Sequence, residues 1–307
     1  MSTHAIVSLL LDEDRRALWA ASRRAAAIAR ASNEAVRCLS AGGRLVFLGA
    51  GTSGRLGVLE AAECPPTFGI EPSRVRAVMA GGEGAVFRAV EGAEDDGDAG
   101  RREGRRLRSR DLLVGVSASS VTPFVRGGLM GARSRGAGTV LVTCSPETGL
   151  GRLADVVIAV PTGPEVLTGS TRLKAGSATK AVLNALTTAA MVRMGKAYGN
   201  LMVDLRPSSR KLEDRARRIV ATGAGVPQPV AERLLTAARR EVKTAIVMAL
   251  LGVTAAAARR RLTAAGGHVR KALAAPAPAA GRGGHLRKAL AGPARAGRRR
   301  LGASLGR

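Results

Sequence analysis

Two short segments rich in glycine and hydroxyl residues have the makings of an anion site. Gly49-Ala50-Gly51-Thr52-Ser53-Gly54 follows a short apolar run and opens a helical pattern, which formally satisfies the dinucleotide fingerprint GxGxxG. That fingerprint also needs an acidic side chain at the end of the next strand to hold ribose hydroxyls, and there the chain has Met79-Ala80-Gly81-Gly82. Thr52 and Ser53 instead set two hydroxyls at a helix N-terminus, where free N–H groups and the positive dipole end suit a phosphate monoester. Thr52, Ser53 and Gly54 are therefore candidate phosphate contacts; the plainer reading is that Ser53 only caps its helix. A second cluster, Ser117-Ala118-Ser119-Ser120-Val121-Thr122-Pro123, follows another apolar run and offers Ser117, Ser119 and Thr122. Capping and turn formation are the plain alternatives for each hydroxyl. Two such loops at neighbouring carboxyl ends of parallel strands would converge on one ligand.

Other chemistries find little support. Cys38, Cys64 and Cys144 are odd in number and outside any CxxC spacing, so neither a disulfide framework nor a zinc site is expected, and a reducing cytoplasm fits. No histidine lies near Cys64 in sequence, so that thiol reads as buried and inert. His4, His268 and His285 have no ligand spacing, and no metal is expected.

The elements that must position these loops follow from periodicity. An Ala-rich helical pattern runs from Ile6 to Leu39 and stops at Gly42-Gly43. Short apolar runs at Leu45–Leu48, Val75–Met79, Leu112–Val116, Thr139–Thr143 and Val156–Val160 read as buried parallel strands. Helical patterns at Ser53–Glu63, Ala85–Leu107, Pro123–Ser134 and Gly176–Lys196 alternate with them, as a doubly wound α/β sheet requires. After Asp204 the patterns are helical alone, at Ser208–Ala221, Pro229–Leu251 and Thr254–Ala265. Gly266-Gly267-His268-Val269-Arg270-Lys271-Ala272-Leu273-Ala274 then nearly repeats from Gly283 to Ala291, and two copies are too few for a solenoid. The Pro/Ala/Gly/Arg remainder, 276–307, is expected to be disordered.

Composition sets outer limits. Of 307 residues 46% are hydrophobic and only 2% aromatic, so the core must be built from Ala, Val and Leu, and base-stacking platforms are nearly absent. The net charge is +26, and about half of the excess lies after Val242, where there is no Asp or Glu. Such a basic tail can contact nucleic acid or anionic surfaces non-specifically, and the basic body favours an anionic small substrate. Arg and Ala usage can equally reflect a compositional bias. No basic region followed by an apolar run marks a secretory leader, and no uncharged stretch reaches the roughly 20 residues of a membrane span.

The residues from Gly49 to Gly69, GAGTSGRLGVLEAAECPPTFG, resemble the signature of bacterial N-acetylmuramic acid 6-phosphate etherases, members of the sugar isomerase (SIS) fold group. The resemblance continues in Ala80-Gly81-Gly82-Glu83, in Glu91-Gly92-Ala93-Glu94-Asp95, from Gly163 to Gly176 and from Lys196 to Asp204, covering about residues 5–274. It implies a three-layer αβα SIS domain with a small C-terminal helical appendage, forming a homodimer and acting as a cofactor-free lyase in cell-wall recycling. Its substrate would be a phosphorylated amino sugar, and its acid–base pair would fall on Glu63 and Glu94. Glu63 stands at the carboxyl end of its predicted helix, just before Pro65-Pro66, and Glu94 lies among Glu91, Asp95, Asp96 and Asp98. Without the resemblance each reads as a solvated acid. Ser170 and Lys174, in GSTRLKAG, complete the expected substrate contacts, Lys174 and Arg172 being candidates to neutralise phosphate or a lactate carboxylate.

The implied divisions are 1–42 helical, 43–205 the SIS domain, 206–275 the appendage and 276–307 the basic tail. Three departures stand out. Ser119-Ser120-Val121-Thr122-Pro123 replaces a family pattern Ser-Gly-Arg-Thr-Pro, the sequence opens at Met1-Ser2-Thr3 without the segment expected to precede it in the family, and the tail is duplicated and basic. The same architecture also serves a sugar-phosphate-sensing regulator that does not turn its ligand over, which is the alternative function.

Overall fold

A computed structural model of the chain describes residues 1–146, 149–205 and 209–275. The second GGH copy and the tail expected to be disordered, 276–307, lie outside the described residues. Each apolar run becomes a parallel strand: β1 Leu45–Gly49, β2 Val75–Met79, β3 Leu112–Val116, β4 Gly138–Thr143 and β5 Val156–Ala159. They form one sheet in the order β2-β1-β3-β4-β5, with Leu45 of β1 level with Val75 on one side and Leu112 on the other. β1 and β3 are buried along their whole length because helices cover both faces.

Side-chain alternation feeds two cores. Leu45, Phe47, Leu112 and Val114 meet the helices α1 Thr3–Ser22, α2 Ala25–Ser40, α3 Gly51–Phe68 and α6 Lys174–Arg193. Val46, Leu48, Leu113 and Leu141 pack instead with α4 Gly97–Arg105 and α5 Pro123–Arg133. The result is the three-layer αβα arrangement. A compact unit spans Met1–Ala216 and a second begins at Arg217.

Four boundaries differ from the periodicity, each for a local reason. The helical pattern over Ile6–Leu39 breaks at Arg23-Arg24, where Ser22 Oγ donates to the Trp19 carbonyl and the Arg24 N–H takes the Ala21 carbonyl, tightening the turn. α3 does not stop before Pro65-Pro66 but runs on to Phe68. The proline φ is already helical, and Gly69, left-handed at φ +60°, closes the helix with its N–H on the Pro65 carbonyl. The pattern over Ala85–Leu107 yields only α4, because Asp96 caps it by accepting the Ala99 N–H at 2.7 Å. Residues 80–95 are thereby left as a loop with two 3₁₀ turns, Glu83–Val86 and Ala93–Asp95. A short antiparallel pair, β6 Ala197–Tyr198 and β7 Leu201–Met202, turns at Gly199-Asn200.

Beyond these lie α7 Arg210–Ala224, α8 Gln228–Ala237, α9 Val242–Leu251, α10 Ala255–Ala264 and α11 Val269–Ala274. The expected Pro229–Leu251 helix is split by Arg239 and Arg240, both at positive φ. Gly266 and Gly267, also left-handed, follow α10, and His268 occupies the N-cap of α11, so the first GGH copy is a helix stop-and-start. Among the described residues no single helix is long and apolar enough to cross a membrane.

Candidate active site

The strand order reverses between β1 and β3, so the loops leaving their carboxyl ends border one crevice. α3 starts directly from β1 through Ala50, which is extended and makes no side-chain cap. The approach is close enough to require glycine: a Cβ on Gly54 would lie 2.6 Å from the Gly49 carbonyl oxygen. Gly54 is thus a packing residue whose N–H already bonds the Ala50 carbonyl, 3.0 Å away. Thr52 and Ser53 are half-buried, and their hydroxyls have no partner among the described residues. Ser53 does not cap its helix, so the plainer sequence reading fails and both hydroxyls remain open to a ligand.

The β3 loop divides its hydroxyls between frame and opening. Ser117 Oγ lies 2.8 Å from Thr122 Oγ1 and accepts the Ser120 N–H at 3.1 Å, so these two candidates brace the loop. The Ala118 carbonyl accepts the Cys144 N–H and the Thr143 hydroxyl, fastening the loop to the end of β4. Ser119 is exposed, its hydroxyl unpartnered among the described residues. Ser120, standing where the family has glycine, is held at φ +62° with its Oγ buried and unpartnered. Val121, in place of arginine, is 74% exposed.

Lys174 is placed otherwise than expected. Its ammonium is buried against Glu13 of α1, Nζ to Oε2 2.5 Å, and that hydrogen bond holds the Glu13 carboxyl below its ordinary range. The first turn of α6, where Gly176 packs beside Thr52, is capped by Glu165, whose carboxylate accepts the Lys174 and Ala175 N–H groups. Sequence reading missed Glu165, because a glutamate nine residues before the helix gives no local capping signal and reaches the N-terminus only through the folded loop. Ser170 is half-buried in the loop before α6, where its carbonyl accepts the Leu173 N–H, and Arg172 is exposed.

Glu94 and the glycine loop share a cavity of about 240 Å³, lined by Ala50, Gly51, Arg55, Val90, Glu91 and Glu94 among others. Arg55 builds its wall: Nε donates to the Val86 carbonyl at 2.8 Å and Nη2 to the Ala85 carbonyl at 2.9 Å. Glu63 is not in this lining. It is exposed on α3 twelve residues after Gly51, roughly 18 Å along the helix axis. A larger groove of about 870 Å³ follows the open edge of β2 and takes in none of the sequence candidates. Cys64 is buried, and burial, with the Glu60 charge adding, pushes its thiol up to about 12, consistent with an inert group.

Comparison with known proteins bears on the family. The model of the glucokinase regulatory protein N-terminal SIS domain matches residues 27–132 and that of the SIS domain residues 94–189. The N-acetylmuramic acid 6-phosphate etherase of Salmonella agona (strain SL483) is 48% identical over 275 residues, 89% of this chain and 93% of its own length. That of Cronobacter sakazakii (strain ATCC BAA-894) is 48% identical over 85% of this chain and 89% of its own. The solved phosphoheptose isomerase of Neisseria gonorrhoeae is 18% identical, covering 62% of this chain and 99% of its own, with a TM-score of 0.49. With a parallel SIS sheet, a glycine–hydroxyl loop at its switch point and relatives of this identity along nearly the whole length, the chain belongs to the N-acetylmuramic acid 6-phosphate etherase family.

Proposed function

We propose that this chain cleaves the D-lactyl ether of N-acetylmuramate 6-phosphate with water, giving N-acetylglucosamine 6-phosphate and D-lactate. The observation that carries the reading is the 48% identity to named etherases over 89% of the chain, joined to an acid, Glu94, in the cavity beside the glycine loop. Opening the sugar ring exposes a C1 aldehyde that acidifies the C2 proton. A base removes that proton, the C3–O bond breaks, and an acid protonates the departing lactate oxygen; water then adds across the C2=C3 bond, oxygen at C3 and hydrogen at C2. Each step is a proton transfer or a C–O bond change, so acid–base side chains suffice. Glu94 is assigned the base role and Glu63 donation to the lactate oxygen. Phosphate is held by the open hydroxyls of Thr52, Ser53 and Ser119, with Ser117 and Thr122 bracing the loop; Ser170, in the loop before α6, is assigned as a further substrate contact.

A homodimer accounts for the separation of the two glutamates. Leu59, 43% exposed, and Glu63 one turn on share an open face of α3, and a second copy seated there brings the Glu63 of one chain to the cavity of the other. The substrate's origin assigns the reaction to recycling of peptidoglycan amino sugars, in the cytoplasm.

The test is direct: purified protein incubated with N-acetylmuramate 6-phosphate releases D-lactate and N-acetylglucosamine 6-phosphate in equal amounts. Tight binding of the sugar phosphate with no D-lactate would establish the regulatory alternative instead.

A further inference from the structure

The substrate of the etherase reading carries two anions, a phosphate at C6 and a carboxylate on the lactyl group, and the fold offers separate places for them. β1 lies between β2 and β3. The open hydroxyls of Ser53 and Ser119 belong to the β1 and β3 side of the crevice. The cavity holding Glu94 belongs to the β2 side, because its far wall is the loop that follows β2. With phosphate on the first side, the C3 ether and its lactyl group extend toward the second, where the acid–base chemistry is. Of the two cations expected to neutralise phosphate or the carboxylate, Lys174 is spent on Glu13 and Arg172 is exposed, outside the lining of this cavity.

The cation within the cavity is Arg55. It is the one basic residue in the lining of the Glu94 cavity, where Glu91 and Glu94 are the acids. Its Nε and one Nη2 hydrogen are fixed on the Val86 and Ala85 carbonyls. Those bonds immobilise the guanidinium, while its remaining N–H groups have no partner among the described residues. A planar cation already oriented by two backbone acceptors, with free donors in a small cavity, is suited to a carboxylate. The same clasp ties α3 to the loop bearing Glu94, so the recognising group and the acid–base group move as one piece.

We infer that Arg55 is a specificity-determining residue that binds the lactyl carboxylate and so distinguishes the ether substrate from sugar phosphates without that group. The inference rests on the etherase reading above. It makes Arg55 a determinant of which sugar phosphate is bound, whereas the hydroxyl loops determine only that a phosphate is.

The experiment compares ligands that differ at the carboxylate alone. In the full chain, binding is measured by calorimetry for N-acetylmuramate 6-phosphate, its neutral lactyl amide and N-acetylglucosamine 6-phosphate. A Glu94→Gln background prevents turnover. Arg55 reading the carboxylate predicts that the amide binds about tenfold or more weakly than the acid, the scale of a lost charge-assisted hydrogen bond. Arg55→Lys should lower affinity for the acid by a similar factor while changing N-acetylglucosamine 6-phosphate less than about twofold. Equal affinity for acid and amide overturns the inference even if the variant does not fold. Equal losses for all three ligands in Arg55→Lys also overturn it, since that is the result of a wall residue that only supports the loop. The two readings fail separately: wild-type protein that releases D-lactate but binds acid and amide alike sinks only the Arg55 role, whereas no D-lactate from wild type sinks the etherase reading and this inference with it.

Discussion

The two ends of the same parallel sheet are built to opposite specifications. At the amino end the charged groups Arg44, Arg74, Asp111 and Asp155 are all matched. Arg44 closes on Asp111 with its own N–H at 2.8 Å and its guanidinium at 2.6 and 3.1 Å, and Asp111 also accepts the Arg108 N–H. The Arg74 guanidinium lies on the Gly43 and Leu39 carbonyls, and Asp155 on Thr139. At the carboxyl end hydroxyls stand open at Thr52, Ser53 and Ser119, Ser120 is held left-handed with a buried orphan Oγ, and Glu94 faces a cavity. A buried orphan such as Ser120 Oγ costs stability whereas the paired charges at the amino end contribute it, so one end of the sheet holds the fold and the other leaves groups for a ligand.

The sharpest way to break that contrast is at the amino end. Burial raises the Asp111 carboxyl, but the Arg44 and Arg108 hydrogen bonds and the Arg44 charge outweigh it and leave the group below its ordinary value of 3.8. Asp111→Ala should cost about 3 kcal/mol or more in denaturant unfolding, the scale of an orphaned buried pair, while affinity for N-acetylglucosamine 6-phosphate stays unchanged. Because the folded-state value is depressed, the stabilisation is fully present above the unfolded value and is lost as pH falls through the folded one. The gap between wild type and Asp111→Asn should therefore close only at acid pH; a gap that does not change with pH would remove the ion pair from the account.

At the other end the losses should fall on turnover. Glu63→Gln and Glu94→Gln should each reduce D-lactate release roughly 100-fold or more, with sugar-phosphate affinity and melting temperature nearly kept. Mixing the two inactive proteins under subunit exchange should restore about a quarter of wild-type activity if each site draws one glutamate from each chain. Silence of the mixture would confine the site to a single chain. Ser53→Ala and Ser119→Ala should weaken N-acetylglucosamine 6-phosphate by about 1–3 kcal/mol and leave the unphosphorylated sugar unaffected. The smallest effect is expected at the strained position: Ser120→Gly should raise stability by about 1 kcal/mol in denaturant titration, since glycine accepts the left-handed φ and removes the orphan hydroxyl. A loss of stability there would mean that the hydroxyl contributes more than its backbone costs.

Much of this was legible from residue order. The five apolar runs became the five strands of the sheet, most plainly β1 and β3, where a run buried on both faces needs no partner information beyond its own continuity. The glycine loop was legible too, since Gly49 and Gly54 must meet across a strand-to-helix turn whatever surrounds them. The helix predicted over Ala85–Leu107 was misread because its apolar spacing outweighed the local signals of Gly92, left-handed at φ +71°, and the Asp96 cap. Stopping α3 at Pro65-Pro66 overrated proline, which near a helix end removes hydrogen bonds without changing φ.

What the sequence by itself determined is the order of elements, the anion loops at two strand ends and the kinship that those motifs carry. What only the tertiary structure decided is which charges meet. Lys174 and Glu13 are 161 residues apart in the chain yet form a buried pair, Arg55 reaches the carbonyls of Ala85 and Val86 some 30 residues on, and the described lining of the cavity beside Glu94 does not include Glu63. Local patterns register helix faces and turns because those depend on near neighbours. Ion pairs, clasped loops and shared cavities depend on where distant segments arrive, and that is set by the packing of helices on the sheet.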